Sequence, residues 1–250
     1  MSIHFNTIYS RVSHLVDIAH LELTEAETLL SKLRKHPSCR SLRLLQFKDR
    51  FTFLCNIHRL EQHLKSTIHH PSQFIFIAVE GKEPLRLNQP PIHLIDWLKN
   101  KLLESRLIKD DSKRVTYYSP IVPPFMVALT GWALEYPIIY TTHLETDDPE
   151  IELDEWEPRS NCLGNQRTLN LIQVYLKDHM LFSFSYPSSL LQRQQQDDDD
   201  DDEDSNRRLE SDLKLKINHR LDEIQSVPDW LKHVRCDIKR EQVQLDRFAL

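Results

Sequence analysis

The stretch EYPIIYTTHLETDD, residues 135–148, decides how this chain folds. An apolar run at residues 125–134 comes before it, and Tyr136-Pro137 ends that run. After the proline, residues 138–144 are rich in β-branched and aromatic side chains, which favour a strand. Because proline cannot continue a helix, the stretch predicts a buried helix followed directly by a strand. A histidine and three acidic side chains come at the end of that strand.

Helical and strand-like patterns alternate through the first half of the chain. Thr24 and Glu27 form a capping-box pattern at the start of a helix that ends before Pro37. Strands that alternate with helices are typical of βα units, which build a largely parallel sheet. The other predicted elements are a strand ending near Asp17, a hairpin at 41–56 that turns at Lys48-Asp49, a helix at 57–69, strands at 74–79 and 115–119, and a helix after Pro90-Pro91.

Downstream of the central stretch, the pattern changes. Residues 169–176 and 180–186 predict a hairpin, and residues 234–245 alternate like an edge strand. Residues 149–160 predict a solvated acidic loop, and residues 192–206 predict a disordered Gln/Asp-rich insertion, because runs of like charge repel and bury nothing. A final helix carries Leu209, Leu213, Ile217 and Leu221 at helical spacing. The sequence therefore predicts one α/β domain over residues 1–250, with a mixed, largely parallel sheet, helices on both of its faces and a C-terminal antiparallel hairpin.

The composition argues against several common classes of function. The net charge is −6, so we expect no broad basic face for nucleic acid. Four cysteines lie far apart without a CxxC pair, which argues against a zinc ribbon or a disulfide framework and favours a soluble protein of the cytoplasm or nucleus. No apolar run reaches the ~18 residues that span a bilayer, so no membrane is expected. With only three glycines, the chain has neither a glycine-rich phosphate loop nor the GxSxG elbow of α/β-hydrolases.

A candidate site lies where predicted strands end, because ligands of open α/β sheets bind beyond the carboxyl ends of the strands. A histidine beside carboxylates either holds a divalent metal ion or acts as a general base. The alternative interpretation is a partly buried strand histidine followed by a solvated acidic loop, and no metal or cofactor is assigned. The candidate residues are Thr142, His143, Glu145, Asp147 and Asp148, with Asp17 and Ser119 at the ends of two other predicted strands.

The segment around Asn161-Cys162 brings the chain back toward that site. Cys162 is either a nucleophile activated by His143 or a small buried hydrophobic residue. Arg167 would clamp an anion through two hydrogen bonds, or would pair with the neighbouring acids.

The histidines of the helix at 57–69 lack the spacing of metal ligands. His58, His63, His69 and His70 are therefore predicted to be solvated surface residues. Trp132 lies at an apolar position of the buried helix and is predicted to belong to the core.

The chain resembles an uncharacterised eukaryotic protein family, typified by the vertebrate chromosome one open reading frame seventy-four protein. The resemblance rests on YPIIYTTHL at 136–144, Asp147-Asp148, Asn161-Cys162-Leu163 and SFSYPSSL at 183–190. In the family pattern the aspartate pair directly precedes the NCL run, so residues 149–160 are an insertion in this chain, and residues 192–206 are a second one. The family has no assigned activity, so the resemblance implies where a site would lie and implies no mechanism.

The sequence leaves two functions open. The first is a non-catalytic binding or interaction protein with a protein partner, favoured because no nucleotide loop, metal-ligand spacing or nucleophile elbow is present. The alternative is a hydrolase-type enzyme that uses His143, Asp147 and Asp148, together with Cys162 or Asp17. Neither the oligomeric state nor a cofactor can be assigned from the residues.

Overall fold

The computed structural model describes residues 11–17, 19–79, 83–109, 115–142, 162–188, 201–223 and 234–247. The chain divides into two units: Met1–Glu80 with Leu87–Ser160, and Gly81–Arg86 with Asn161–Leu250. The statement that residues 1–250 form one domain stays a prediction.

The first unit contains two sheets and most of the helices. Its strands are β1 (Ser13–Leu15), β2 (Leu42–Phe47), β3 (Phe51–Asn56), β4 (Ile75–Ala78), β6 (Thr116–Ser119) and β7 (Ile138–Thr141). Its helices are α1 (Leu23–Leu33), α2 (Ile57–His69), α3 (Ile92–Trp97), which continues as a π-helical turn at Leu98–Leu102, α4 (Arg106–Lys109) and α5 (Met126–Ala133), with 3₁₀ turns at Pro37–Cys39 and Pro71–Gln73.

A capping box starts α1, two residues earlier than predicted. The Glu25 carboxylate accepts a hydrogen bond of 3.0 Å from the Glu22 N–H, and the Glu22 side chain accepts one from the third helical N–H. The predicted box at Thr24 and Glu27 is therefore wrong. Glutamate is an uncommon N-cap residue, so a pattern search selects the threonine instead.

The first sheet has the strand order β1-β3-β2-β6. Its strands β2 and β3 form the predicted antiparallel hairpin, from Leu42↔Asn56 to Phe47↔Phe51, and β6 pairs with β2 in parallel. Every residue of β2 is buried, because helices cover both faces of the sheet. On one face α1 packs against Leu42 and Leu44, and on the other face Leu45 and Phe47 belong to the main core.

Strands β4 and β7 pair in parallel in the second sheet of this unit. The paired residues run from Ile75↔Ile138 to Ala78↔Thr141. Helix α5 precedes β7 and is buried almost all round, as the apolar run predicts, with Trp132 fully buried. Gly131 lets α5 approach β7 closely, since a Cβ atom there would lie 3.0 Å from Ile139 Cγ2.

The described residues of the second unit form β5 (Leu85–Arg86), β8 (Cys162–Leu176), β9 (His179–Pro187), α6 (Asp201–Asp222) and β10 (Cys236–Arg247). Strands β8, β9 and β10 form an antiparallel sheet of order β10-β8-β9. The predicted C-terminal hairpin and edge strand are both confirmed. Side chains on one face of β8, at Ile172, Val174 and Leu176, are buried, whereas their neighbours are partly exposed, as expected when one face of an antiparallel sheet is packed.

Helix α6 begins inside the segment that was predicted to be disordered. Residues 201–206 are helical, and residues 192–200 lie outside the described part of the chain. Acidic residues in the first turns of a helix are favoured by the positive end of its dipole, an effect that the charge-run argument neglects. Asn206 also anchors the helix, because its side-chain oxygen accepts a hydrogen bond of 2.5 Å from the Tyr186 hydroxyl. The predicted helical stripe is confirmed at Leu213, Ile217 and Leu221, which are all buried.

The mixed α/β class, with helices on both faces of a sheet and a C-terminal antiparallel hairpin, is confirmed. The strands divide among three sheets instead of joining one largely parallel sheet. Short turns at Lys48 and Lys177 return the chain antiparallel to itself, and only the longer crossovers to β6 and β7 give parallel pairs. No helix among the described residues is both long and apolar enough to cross a bilayer.

Candidate functional site

A buried polar cluster surrounds the C-terminus of α5. The Glu135 N–H donates to the Trp132 carbonyl (2.9 Å) and the Tyr136 N–H donates to the Gly131 carbonyl (3.0 Å), which together form a Schellman motif. Glu135 takes the left-handed position of this motif, with φ of 57°. Glycine usually occupies that position, because other residues are strained there, so a contact of the Glu135 side chain must stabilise it. Its carboxylate accepts a hydrogen bond of 2.9 Å from the Val12 N–H, at the start of β1.

Side chains from elsewhere in the fold satisfy the last carbonyl groups of α5. The Ser13 hydroxyl donates to the Ala133 carbonyl at 2.6 Å, and the Arg11 guanidinium donates to the Leu134 carbonyl. The terminal carbonyls of a helix have no partner within the helix and carry a partial negative charge. Arg11 and Ser13 therefore cap α5 and join it to β1.

His63 supplies a third contact to this helix end from α2. Its Nε2 lies 2.9 Å from the Trp132 carbonyl oxygen, and because a carbonyl can only accept, Nε2 carries the proton that is donated. The Nδ1 atom lies 3.9 Å from Glu135 Oε1, and both side chains are only 5% exposed. The ring stacks on Trp132 at 4.8 Å between centroids, and the indole N–H donates to Thr67 Oγ1 at 2.8 Å.

A histidine beside a carboxylate is a common arrangement for general acid–base catalysis. Here both groups are buried, His63 donates to a main-chain carbonyl and Glu135 accepts from a main-chain N–H. These contacts use the two side chains to fix α2, α5 and β1 relative to one another. The prediction that His63 is a solvated surface residue is wrong, since it is 7% exposed. The signal for its burial was the adjacent buried stripe of Leu60 and Leu64.

Asp17 and Ser119 both lie at the carboxyl ends of strands of the first sheet, but these strands are far apart. Strand β1 is antiparallel to β3, and β3 is antiparallel to β2, so β1 runs in the same direction as β2. Strand β6 is parallel to β2 and therefore runs in this direction too. Strands β1 and β6 occupy the two outer positions of the sheet, three strand spacings or about 14 Å apart. Asp17 is exposed, and the Ser119 hydroxyl donates to the Ile121 carbonyl at 2.7 Å.

Thr142 directly follows β7, at the carboxyl end of the parallel pair, and is buried. His143, Glu145, Asp147, Asp148 and Asn161 lie outside the described residues, so the site that they would form stays a prediction.

Cys162 begins β8, in the second unit. Arg167, on the same strand, makes hydrogen bonds of 2.6 and 3.0 Å to the two carboxylate oxygens of Glu83. This pairing raises the pKa of the guanidinium. Its acid, Glu83, lies 84 positions away along the chain and is not one of the neighbouring acids named in the sequence prediction, so the role of Arg167 at a ligand site stays a prediction. Burial raises the pKa of the Cys55 thiol to about 12 and that of Cys236 to about 11, so neither is a ready nucleophile.

Within the described ranges, no group of three or more His, Cys, Asp and Glu side chains has an arrangement that could hold a metal ion.

The fold and the buried cluster define a mixed α/β protein in which a helix end is capped from two other elements. The chain belongs to the family described as Domain of unknown function (DUF4504), whose model matches residues 11–227. No curated protein and no solved structure matches it.

Proposed function

We propose that this chain is a non-catalytic binding protein that engages a protein partner at the outer edge of its first sheet. The observation that carries this proposal is the exposure of apolar side chains at β6, the last strand of that sheet. Tyr118 is 38% exposed and Ile121, just beyond the strand, is 56% exposed. Tyrosine is enriched among the side chains that carry most of the binding energy of protein interfaces.

The buried cluster gives this proposal further support. His63 and Glu135 are the groups best suited to proton transfer among the described buried residues, and both bind main-chain atoms, His63 the Trp132 carbonyl and Glu135 the Val12 N–H. These side chains therefore stabilise the fold through their hydrogen bonds to the main chain.

Photo-crosslinking tests the proposal. Benzoylphenylalanine is placed at position 118, at position 121 or, as a matched control, at position 215, where Leu215 of α6 is 66% exposed. We expect the same crosslinked product from positions 118 and 121, and none of it from position 215. Excess wild-type chain should compete the product away, whereas the double variant Tyr118→Asp, Ile121→Asp should not. A product that forms equally at position 215, or that resists competition by the wild type, contradicts the proposal.

A second candidate is a hydrolase-type enzyme with His143, Asp147 and Asp148 in its site, and with Cys162 or Asp17 as further candidates. The parallel pairing of β4 with β7 favours the enzyme, because the carboxyl ends of both strands lie side by side, and ligands of open α/β sheets bind beyond these ends. Buried Thr142 lies at the carboxyl end of β7.

Thermal shift against divalent metals, nucleotides and small anions separates the two candidates. A ligand present at 100 times its dissociation constant adds ~2.7 kcal/mol to the stability of the folded state. If one class raises the melting temperature of the wild type and not of His143→Ala, the enzyme replaces the binding protein as the better proposal. If the shift is the same in both, His143 has no part in the binding.

We also propose that, within its family, the chain groups with the proteins typified by chromosome one open reading frame seventy-four, on the motifs at 136–144 and 183–190. A location in the cytoplasm or nucleus is supported by Cys55 and Cys236, which form no disulfide. Fluorescence microscopy of the tagged chain checks the location, and a secretory pattern would contradict it.

A further inference from the structure

We propose that the β6 edge binds an extended peptide segment of a partner protein, which adds to the first sheet as a fifth strand. This inference rests on the proposed function and specifies the form of the partner. It follows from the main-chain groups of β6, from the composition of this edge and from its length.

Alternate residues of β6 turn their main-chain groups away from β2. The Val115 carbonyl accepts a hydrogen bond of 2.8 Å from Leu44 of β2, and the Ser119 carbonyl accepts one of 2.7 Å from Lys48, which directly follows β2. In a parallel pair, residues that alternate with these direct both their N–H and their C=O to the opposite side. Thr116 and Tyr118 therefore present two donors and two acceptors along the outer edge, where the described part of the chain places no further strand.

The composition of this edge leaves it open to pairing. Natural proteins protect edge strands with charged residues, with prolines or by keeping the strands very short. Strand β10, for example, carries charged residues along its length. Strand β6 has the sequence Thr-Tyr-Tyr-Ser, without a charge or a proline. Its Tyr117 is held inside by Phe47 and Trp97, which fixes the strand in place for an incoming partner.

The length of the edge selects a peptide over a second copy of the chain. A stable interface buries about 800 Å² on each partner. Four strand residues, among which Tyr118 is exposed, together with exposed Ile121 beyond the strand, offer only a small part of that area. Addition of a peptide strand gains its affinity from main-chain hydrogen bonds and suits a short edge.

The test uses the synthetic peptide acetyl-Thr-Val-Thr-Val-Thr-Val-amide, whose β-branched residues favour an extended chain. The full-length protein is titrated with it to about 1 mM, and amide hydrogen exchange is followed by NMR. We expect slower exchange at the amides of Thr116 and Tyr118, and no change at Tyr117 and Ser119, whose groups face β2. The same peptide with every amide N-methylated should have no effect, because it cannot donate hydrogen bonds.

Two variants separate the main chain from the side chain. Tyr118→Pro removes the outward N–H, which β2 does not use, and should weaken peptide binding at least about 10-fold. Tyr118→Thr keeps the N–H but loses the exposed ring, and should weaken binding less than Tyr118→Pro does, so that the difference between the two variants measures the main-chain contribution. If Tyr118→Pro does not fold, the N-methylated peptide alone decides whether main-chain donors are needed.

Three outcomes would overturn the inference. One is the absence of any effect at Thr116 and Tyr118, and another is equal binding of the N-methylated peptide. The third is protection of these amides without peptide, at concentrations where sedimentation shows dimers, since a second copy would then be the occupant. If crosslinking at positions 118 and 121 succeeds while the peptide fails, the binding function stands and strand addition does not.

Discussion

Glu135 shows how a chain with three glycines makes its tight turns. Lys48, Glu135 and Lys177 all have positive φ angles, between 51° and 57°. Lys48 and Lys177 are exposed residues of hairpin turns, whereas Glu135 is buried at the end of α5. The left-handed conformation costs a non-glycine residue about 1–2 kcal/mol. At Glu135 the hydrogen bond from Val12 offsets this cost.

Substitution by glycine and by alanine separates these two contributions. Glu135→Gly removes a backbone strain of about 1–2 kcal/mol but leaves the buried Val12 N–H without its acceptor, which costs about 1–3 kcal/mol, so the free energy of unfolding should fall by no more than about 1 kcal/mol. Glu135→Ala keeps the strain and should be about 1 kcal/mol less stable than Glu135→Gly. Lys177→Gly is the matched control and should raise the stability by about 1 kcal/mol. Urea unfolding measures all three, and a stabilising Glu135→Gly would mean that the carboxylate contributes nothing.

The sequence could not reveal the role of Glu135. It begins the stretch that decides the fold, but the left-handed position after a helix is normally recognised by a glycine, and none is there. His63 was accessible to sequence reasoning, because its helical position adjoins the stripe of Leu60 and Leu64. Its donation to a carbonyl 69 positions along the chain was not, since that contact depends on the packing of α2 against α5.

At the scale of elements, α5 depends on its neighbours for its C-terminus. Its apolar sequence and its end at Tyr136-Pro137 predicted both its length and its burial. The groups that cap it come from β1 and α2, at a distance in the chain that no local pattern reports. The same is true of the sheets. Their hairpins could be predicted from local turns, whereas the division into three sheets depends on pairing between strands that are distant in the sequence.

Two histidines of α2 test the cap. His63→Ala removes a donor to the Trp132 carbonyl and opens a cavity beside the indole, so the free energy of unfolding should fall by about 2–4 kcal/mol. His58→Ala, at an exposed position of the same helix, should change it by less than about 0.5 kcal/mol. Urea unfolding followed by circular dichroism compares them, and equal effects would show that the cap carries no stability.

For the whole molecule, the buried thiol of Cys55 makes stability depend on alkaline pH. Burial raises the pKa of Cys55 from 9.0 to about 12, so the folded state keeps the thiol protonated after the unfolded state has ionised. A raised pKa of this kind contributes stability in full below pH 9, and that contribution is lost as the pH rises from 9 toward 12.

The comparison of wild type with Cys55→Ala isolates this effect. Between pH 9 and pH 10 the wild type should lose about 1 kcal/mol more of its unfolding free energy than the variant does. The cavity left by the substitution is the same at both pH values and cancels from the difference. Chemical unfolding at the two pH values provides the measurement, and parallel losses in both proteins would show that Cys55 ionises as readily in the folded state.

The parallel pairing of β4 with β7 also has a consequence for the protein while it is being made. Strand β4 leaves the ribosome about 60 residues before β7, which at 5–20 residues per second is a delay of roughly 3–12 seconds. During that interval the apolar strand Ile75–Ala78 lacks the partner that later covers one of its edges. A nascent chain in this state is a natural client for a chaperone, and slow translation between the two strands would lengthen its exposure.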